Sequence, residues 1–468
     1  MKKLQILFFT FIILGLSSCG EELLTINPSA SLPPDAAIQT VNDVETVLTG
    51  VYQQLQNSDW YGRYFILVPD VMSDDVKQNA SANRAKEWAE YNGNQFDFIP
   101  EEIWAEVYEG ILRANTIINA EVEVPSSVQS DLDQFRGEAY AIRALAHFDL
   151  VRIYGQHYGF TGDNSHPGIP IVTVFDQESE PTRASVGAVY DQIIADFNQA
   201  LSLMNQNRGV GYMSTDAANA LLSRVYLYQS NYAQAEAKAT EVINSSNTSL
   251  TGADSYISTW MSNGTSPDAI FDIVMLATDN NGGDAVGRMY INEGYGDYLP
   301  SQDVISILEA RGTDSRINLF KEDATLAGIF GPVRVNKFPA VDGSDNTPVV
   351  RLAEMYMIRA ESRARQGNEP GAIEDLMMIR TRSWPEAPAV TATGDDLIEE
   401  ILEEKRLELM YEGHRLWDLM RLKRDVVRTD CTAPADVCTV TYPSNRFVLP
   451  IPNPELNANP NIQQNPGY

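Results

Sequence analysis

Hydrophobic residues recur at the spacing of an α-helix along most of the chain from residue 36 onward. Two early stretches show this with apolar positions one, three or four apart: Val44, Val47, Leu48, Val51, Tyr52 and Leu55, then Ile103, Val107, Ile111, Ala114 and Ile118. A third runs from about 127 to 154, with alanines that would let a neighbouring helix approach closely. Further helices are predicted at 185–204, 395–412 and 415–424. The pattern predicts a mainly α fold.

Two later stretches share a finer pattern of helix, tight turn and second helix. The turns are Gln229-Ser230-Asn231 and Gln366-Gly367-Asn368, and an alanine follows each turn at Ala235 and Ala372. Small residues at such positions are typical of the packing crossover in tetratricopeptide hairpins. Hairpins of this kind cannot bury their apolar faces alone, so we expect them to stack into a tetratricopeptide-like scaffold.

Two long segments, 57–100 and 246–349, lack helical period and are rich in Gly, Asn, Asp and aromatic residues. Loops of this length in a compact protein usually carry function. We expect them to form a variable ligand face on a scaffold made of about 37–57, 101–245 and 350–424, all within one domain, 37–468. The tail, 443–468, holds six prolines, which predicts an extended strap without regular structure.

The first eighteen residues are typical of a secretory signal. Lys2 and Lys3 precede an apolar run at 4–16, which is shorter than the roughly 20 residues of a membrane span. The run ends in Leu16-Ser17-Ser18-Cys19, a bacterial lipobox pattern. We therefore expect removal of residues 1–18, lipidation of the Cys19 thiol and a lipidated tether at 19–36. A plain signal peptide that happens to contain a cysteine is the alternative.

Charge and cysteine content narrow the function further. The formal net charge is −30, which would repel nucleic acid and anionic lipid, so we predict no nucleic-acid partner and attachment to the membrane through the lipid anchor. Four histidines and three cysteines supply a zinc site poorly. If Cys19 is acylated, Cys431 and Cys438 remain, and we expect them to form a disulfide across a small surface loop.

Six segments in order, together with the lipobox, resemble the SusD/RagB family of outer-membrane nutrient-binding lipoproteins. They are 135–155, 182–200, 217–235, 351–382, 401–421 and 449–468. The resemblance implies a scaffold whose loops capture oligosaccharide without cleaving it. It also implies a SusC-like TonB-dependent outer-membrane transporter as partner, with the protein as its lid. Gly20-Glu21-Glu22 resembles the export signal of Bacteroidota lipoproteins, which implies the extracellular side of the outer membrane.

A glycan site needs flat aromatic rings for the apolar faces of sugars and polar side chains for the hydroxyl groups. Four clusters offer this combination, and the resemblance supports these regions rather than single residues. The candidate ligand-binding residues are Asp59 and Trp60; Asp74, Asp75, Asn79, Arg84, Trp88 and Tyr91; Arg288, Tyr290, Tyr295 and Tyr298; and Arg382 and Trp384. Trp104, Trp260 and Trp417 are expected to pack in the core. No cofactor is predicted. Asp279, Asp284 or Asp342 with nearby asparagines could form a calcium site, but no EF-hand spacing occurs, so no metal is predicted.

Two alternatives compete with glycan capture. Glu404, Glu408 and Glu412 share one helical face, as the carboxylates of a glycoside hydrolase could. Charges of opposite sign alternate with them, which indicates salt bridges between helices instead. The same interpretation covers Glu138, Arg143, Arg152, Glu361 and the packing residue His414. A helical hydrolase is therefore the weaker alternative, and capture of peptide or glycoprotein nutrients by the same lid mechanism is the other.

Overall fold

The computed structural model describes residues 38–80, 82–176, 178–245, 247–262, 264–326 and 333–468. The predicted signal peptide, Cys19 and the tether lie outside these residues. Fifteen α-helices occupy the described part: α1 Val41–Gln56, α2 Tyr64–Val71, α3 Lys86–Ala89, α4 Phe98–Asn119, α5 Gln129–Tyr154, α6 Val186–Leu203, α7 Thr215–Tyr228, α8 Tyr232–Asn244, α9 Ala253–Trp260, α10 Gln302–Arg311, α11 Leu352–Arg365, α12 Glu369–Ser383, α13 Gly394–Leu409, α14 Arg415–Arg421 and α15 Asn453–Ala458.

Strands are short and form antiparallel pairs. They are β1 Val76–Gln78 with β3 Tyr298–Pro300, β2 Ala269–Ile273 with β6 Thr347–Arg351, β4 Phe320–Glu322 with β5 Val333–Val335, and β7 Val426–Val427 with β8 Thr439–Val440. The β1–β3 pair matters most for the ligand face, because it joins the two long segments, 57–100 and 246–349, which lie far apart in the sequence. The mainly α fold class is confirmed.

Helices pack side by side around one large hydrophobic core. Helix α5 lies between α4 and α6, and α1 crosses both α4 and α5. Further along, α8 packs against α7 and α11, and α13 packs against α11 and α12. A second, smaller apolar cluster fills the space among α11, α12 and α13. The predicted helices at 127–154 and 185–204 are confirmed within about two residues at each end.

The two predicted hairpins are present. Helices α7 and α8 are joined through Ser230 at a φ of 59°, and α11 and α12 through Gly367 at a φ of 81°. The next residue in each turn caps the second helix, because the side chains of Asn231 and Asn368 accept hydrogen bonds from the backbone three residues on. Both alanines at the expected crossovers are fully buried. The further likeness to tetratricopeptide repeats stays a prediction.

The long segments are more ordered than their patterns indicate, because they contain α2, α3, α9 and α10. Helix α2 has no helical period since all eight of its residues are buried. A helix surrounded by protein has no polar face, so its sequence lacks the alternation of apolar and polar residues that identifies a surface helix. The expectation of mostly irregular structure in 57–100 and 246–349 is therefore wrong for these elements.

The C-terminal tail crosses the scaffold as expected, but it is not free of regular structure. It contains α15, whose Pro454 occupies the first turn, where a missing N–H costs nothing. The backbone N–H of Leu449 donates to the Ile153 carbonyl at 2.8 Å, and the Asn465 amide donates to the Tyr154 carbonyl at 2.8 Å. The strap thus holds the C-terminal end of α5.

Two smaller points concern covalent and membrane features. The disulfide between Cys431 and Cys438 is present, which confirms that prediction. Within the described ranges, no helix combines the length and the apolar character needed to cross a membrane.

Candidate ligand-binding face

Glu404 and Glu408 lie on α13, but this helix ends at Leu409, so Glu412 follows it in a turn and the expectation of one shared helical face is wrong for Glu412. All three, called the α13 carboxylates below, belong to the interior. Glu404, Glu408 and Glu412 are at most 4% exposed, and each is held by buried cations. Arg316 pairs with Glu404 at 2.6 Å, and Arg351 pairs with Glu412 at 2.7 Å. The remaining cationic partners of the three are Arg311, Lys337, Arg380 and Arg382. The predicted salt bridges between helices are confirmed.

These ion pairs determine the protonation state of the cluster. Burial alone would raise the pKa of Glu408, but the charges of Arg382, Arg351 and Arg316 outweigh it and lower the pKa to about 2. The pKa of Glu404 is lowered in the same way by its arginines. Neither group is a proton donor near neutral pH, and neither reaches the surface.

The other charged residues assigned to the scaffold are also buried and paired. Arg143 pairs with Asp196 at 2.6 Å, and Arg421 pairs with Glu361 at 2.7 Å. Glu138 and Arg152 are paired in the same way, and His414 is buried. The packing role of this set is confirmed. Trp104, Trp260 and Trp417 are no more than 6% exposed, as expected.

Asp74 and Asp75 anchor a loop instead of facing solvent. Asp74 receives two hydrogen bonds from Arg415 at 2.7 and 2.8 Å, and Asp75 receives one from Arg406 at 2.6 Å. Burial would raise the pKa of Asp74, but these arginines lower it. The prediction that the two aspartates contact ligand is corrected, because their carboxylates are buried and neutralised by α13 and α14.

Arg428 completes this anchor, and sequence reasoning missed it. Its guanidinium donates to three backbone carbonyls, those of Ser73, Val71 and Ala89, at 2.9, 2.9 and 2.6 Å. A lone arginine after α14 gives no pattern that would identify such a role. Its effect is to fix the backbone on both sides of β1 and at the end of α3 against the scaffold.

Five aromatic candidates are core residues. The Trp60 indole donates to the buried Asp149 at 2.8 Å, and the Tyr290 hydroxyl donates to Asp70 at 3.1 Å. Hydroxyl groups of the other tyrosines bind backbone carbonyls. The set with at most 8% exposure is Trp60, Trp88, Tyr91, Tyr290 and Tyr298. They are corrected from ligand contacts to packing residues, because no ring face is open to a sugar.

Arg84 and Tyr295 come together at the surface. Tyr295 is 40% exposed, and the Arg84 guanidinium carbon lies 3.1 Å from its ring centroid. Arg84 is fixed by Asp297, which accepts from its side chain at 3.3 Å and from its backbone at 3.1 Å. A cation above an aromatic ring is an attractive arrangement. It holds the tyrosine ring in place while leaving part of it open.

The adjoining surface is charged and includes the predicted Asp59. Arg63 pairs with Asp284, and the same guanidinium lies 4.0 Å from the ring centroid of Tyr64. Asp59 is half-buried; burial raises its pKa, the charge of Arg63 lowers it and that of Asp284 raises it, with a net rise. Next to Asp284, at Gly283, a Cβ atom would lie 3.5 Å from the Tyr295 hydroxyl. The charged surface is therefore continuous with Tyr295.

Phe98 is the aromatic residue that sequence reasoning missed. It is 55% exposed at the first position of α4, and its ring meets the Tyr64 ring edge-on with centroids 5.7 Å apart. The signal was weak, because a phenylalanine at a helix start reads as a core residue. We define the loop face as Asp59, Arg63, Arg84, Phe98, Asp284 and Tyr295.

Two of the candidate ligand-binding residues, Asn79 and Arg288, hold the backbone of the loop that carries Tyr295. The Asn79 amide donates to the Gly296 carbonyl at 3.0 Å, and the Arg288 carbonyl accepts from the Tyr295 N–H at 2.7 Å. The Arg288 side chain donates to the Val341 carbonyl at 2.7 Å. Both residues therefore shape the loop that presents Tyr295.

Arg382 and Trp384 lie elsewhere. Arg382 is buried and paired with Glu408 and Asp268, while the Trp384 ring lies 5.1 Å below the Arg311 guanidinium. Their neighbours are the α13 carboxylates, so the structure does not bring this fourth cluster to the loop face. Among the described residues, no group of three or more possible metal ligands lies together.

Comparison with known proteins agrees with this architecture. Residues 27–227 match a family described as "Starch-binding associating with outer membrane", and residues 340–468 match the SusD family. The chain belongs to the SusD/RagB family. It is similar to a SusD superfamily protein from Bacteroides thetaiotaomicron, with 27% identity, 91% of this chain and all of that one covered, and a TM-score of 0.85.

Two curated relatives complete the comparison. SusD-like protein P38 of Formosa agariphila is 24% identical over 100% of this chain and 99% of its own. Starch-binding protein SusD of Bacteroides thetaiotaomicron is 33% identical over 141 residues, which are 29% of this chain and 23% of the relative. The two family matches leave out residues 228–339, which supply Asp284 and Tyr295. Four of the six residues of the SusD-like loop face therefore lie in matched sequence, and these two lie outside it.

Proposed function

We propose that this chain is a cell-surface lipoprotein that binds oligosaccharide or polysaccharide at the loop face. In this proposal Cys19 carries the lipid anchor at the outer membrane, and residues 37–468 act as a single binding domain. The bound glycan passes uncleaved to a SusC-like TonB-dependent transporter, which the protein covers as a lid.

The observation that carries the proposal is the pair of exposed rings on an otherwise charged surface. Tyr295 and Phe98 offer apolar faces of the kind that stack on sugar rings, with 40% and 55% of their surfaces exposed. Asp59, Arg63 and Arg84 lie beside them and can bind hydroxyl groups. Aromatic surface with a few convergent polar groups is the usual composition of a small-ligand site.

Two further findings support binding without chemistry. The family description and the name of the B. thetaiotaomicron relative both refer to starch binding. In addition, the α13 carboxylates that could suggest a hydrolase are buried, and arginines lower the pKa of Glu408 to about 2. A general acid for glycoside cleavage needs a raised pKa instead.

The test is affinity electrophoresis of the mature protein in gels that contain soluble starch, laminarin, arabinoxylan, pectin, alginate or mucin. We expect at least one polysaccharide to retard the wild-type protein, with no release of reducing ends. Tyr295→Ala and Phe98→Ala should each weaken retention by about 3- to 10-fold, since an aromatic stacking contact contributes about 0.5–1.5 kcal/mol.

The matched control is Phe175→Ala. Phe175 is 41% exposed but lies outside the loop face, so this variant should retain wild-type retardation. If no polysaccharide retards the wild-type protein, or if the three variants behave alike, the loop face is not a glycan site. Turnover of any of these polymers would contradict the non-catalytic part of the proposal.

The anchor and the partner need separate tests. In the native host, a Cys19→Ala variant should lose membrane association, and pull-down of the wild-type protein should bring a TonB-dependent barrel with it. Recovery of the protein without a barrel would leave glycan capture intact and contradict the hand-over.

A further inference from the structure

A groove about 500 Å³ in volume runs along α1 next to the loop face. We define the α1 groove by Thr49, Gln53 and Gln56 on the helix, by Arg208 and Tyr212 opposite them, and by Val274 at its floor. None of these residues belongs to the loop face. Its size suits a few sugar units, since small-molecule sites commonly measure about 300–1,000 Å³.

Tyr212 provides a supported aromatic surface in this groove. It is 37% exposed. Its ring meets the Tyr52 ring edge-on, with centroids 5.2 Å apart, and the Arg208 guanidinium lies 4.2 Å from its centroid. A ring held by a neighbouring ring and a cation loses little freedom when a ligand binds, which favours affinity.

The support behind Tyr212 is itself fixed by a buried carboxylate. Arg208 contacts both oxygens of Glu138 at 3.1 Å, and Glu138 also accepts from the Tyr52 hydroxyl at 2.6 Å. That hydroxyl in turn accepts from the Met213 N–H at 2.8 Å. The segment 208–213 is therefore clamped to α1 and α5, and the position of the Tyr212 ring is set by the scaffold.

Polar groups on α1 face the same space. Gln53 is exposed, and among the described residues its side chain makes no hydrogen bond. Gln56 is fixed by its bond to the Val274 carbonyl at 2.7 Å. Opposite them, Gly209 has a φ of 100° and no atom within 4 Å of a Cβ position, so the backbone there leaves room for a ligand.

The groove is continuous with the loop face. Asp279 lines one end of it, and two residues on, the Asn281 amide donates to the Gln56 carbonyl at 2.6 Å. The same loop then reaches Asp284, which pairs with Arg63 in the loop face. One surface thus extends from Tyr295 past the C-terminal end of α1 to Tyr212.

We propose that the α1 groove is a second carbohydrate subsite, which takes a further part of the same polysaccharide chain that the loop face binds. The inference rests on the proposed function. It assigns Tyr212 as the stacking residue and Gln53 as a hydroxyl-binding residue. It also implies that long chains are preferred over short ones, because two linked contacts raise avidity without a new ligand.

The test compares one polymer with its own fragment. The probes are the panel polysaccharide that retards the wild-type protein most strongly and the trisaccharide made from it by partial hydrolysis. We expect Tyr212→Ala to weaken retention of the polysaccharide about 5-fold while trisaccharide affinity, measured by calorimetry, stays within 2-fold of wild type. Tyr295→Ala should weaken both.

Two further variants distinguish the loss of a ligand contact from unfolding of the protein. Tyr212→Phe keeps the ring and should restore polysaccharide retention, and Gln53→Ala, which breaks no bond within the protein, should weaken retention about 2-fold. If Tyr212→Ala binds the polysaccharide as wild type does, the inference is overturned while the proposed function stands. If the wild-type protein binds no glycan in the panel, both the inference and the proposed function are contradicted.

Discussion

Acids in the α13 carboxylate cluster and acids in and beside the loop face shift their pKa values in opposite directions. At Glu408, three arginines surround a fully buried carboxylate and lower its pKa to about 2. Near the loop face, Glu106 on α4 lies beside Asn57, none of the cations in the described part of the chain is bonded to it, and burial raises its pKa to about 7. The difference is the supply of buried positive charge, not the exposure of the acid alone.

Whether a charged or aromatic side chain already has partners indicates its role, structural or ligand-binding, better than its residue type does. In the cluster, every acid and every arginine has a partner, so removal of one carboxylate leaves buried positive charge that the remaining acids compensate only in part. On the loop face, Tyr295 and Phe98 keep open ring surface, and Arg84 remains partly exposed. Side chains at the surface that still have an open ring face or free hydrogen-bonding atoms are the ones able to bind a ligand.

The largest expected effect comes from breaking the cluster. Glu408→Gln leaves Arg382, Arg351 and Arg316 without their shared carboxylate, and we expect the free energy of unfolding to fall by about 3–5 kcal/mol. Urea denaturation measures it. The control is Glu399→Gln on the same helix, whose exposed pair with Arg424 should contribute less than about 1 kcal/mol. Equal effects in the two variants would show that burial is not the deciding factor.

A second variant asks whether a buried candidate behaves as a core residue. Trp60→Phe removes the hydrogen bond to Asp149 and leaves a small cavity beside Gly110, so we expect a loss of about 2–3 kcal/mol in the free energy of unfolding. Retention by the selected polysaccharide should not change. Phe98→Ala should show the reverse, with weaker retention and a loss in the free energy of unfolding below about 1 kcal/mol. If Trp60→Phe is fully folded under the conditions of the gel and still binds the polysaccharide more weakly, Trp60 is a ligand contact and not only a core residue.

The third prediction concerns how the free energy of unfolding depends on pH. The pKa of Glu106 is about 7 in the folded protein and 4.5 for an unperturbed glutamate, so the folded state holds a proton that the unfolded chain has released. Its contribution therefore lowers stability as pH rises from about 4.5 to 7, and the loss levels off above that range.

Glu106→Gln should remove this loss and stabilise the protein at pH 8 by about 1 kcal/mol, a figure reduced because the side chain is only half-buried. At pH 4.5 the variant and wild type should be alike. Urea denaturation at both pH values measures the difference, and other titrating acids cancel because both proteins contain them. A variant less stable than wild type at pH 8 would show that the Glu106 carboxylate is stabilised rather than strained.

The scaffold was predictable because local pattern and tertiary contact agree there. Ala235 and Ala372 mark helix crossings, and the two Asn-capped turns are visible as short motifs. Helix α2 was missed because a helix buried on every side has no polar stripe. The strap's α15 was missed because proline density hides a helix whose proline lies in the first turn.

The loop face was predictable by region and only partly by residue. Asp59, Arg84 and Tyr295 lie in it as predicted, but Asp74 does not, because its partner Arg415 is 341 positions away in the chain. No local pattern shows that such a partner exists. Phe98 and Tyr212 were missed for the opposite reason, since an exposed aromatic in a helical protein looks like a core residue until the neighbouring surface is known.

The strap has a consequence for how the polypeptide matures. Its Asn465 side chain and Leu449 backbone complete the bonds at the end of α5, a helix that leaves the ribosome about 300 residues earlier. These bonds at the end of α5 can therefore form only after the final segment has been synthesised. A product shortened by its last twenty residues would lose the bond to the Ile153 carbonyl and would leave the Tyr154 carbonyl with its bond from Arg183 alone, and we expect proteases to degrade it faster than the full-length chain.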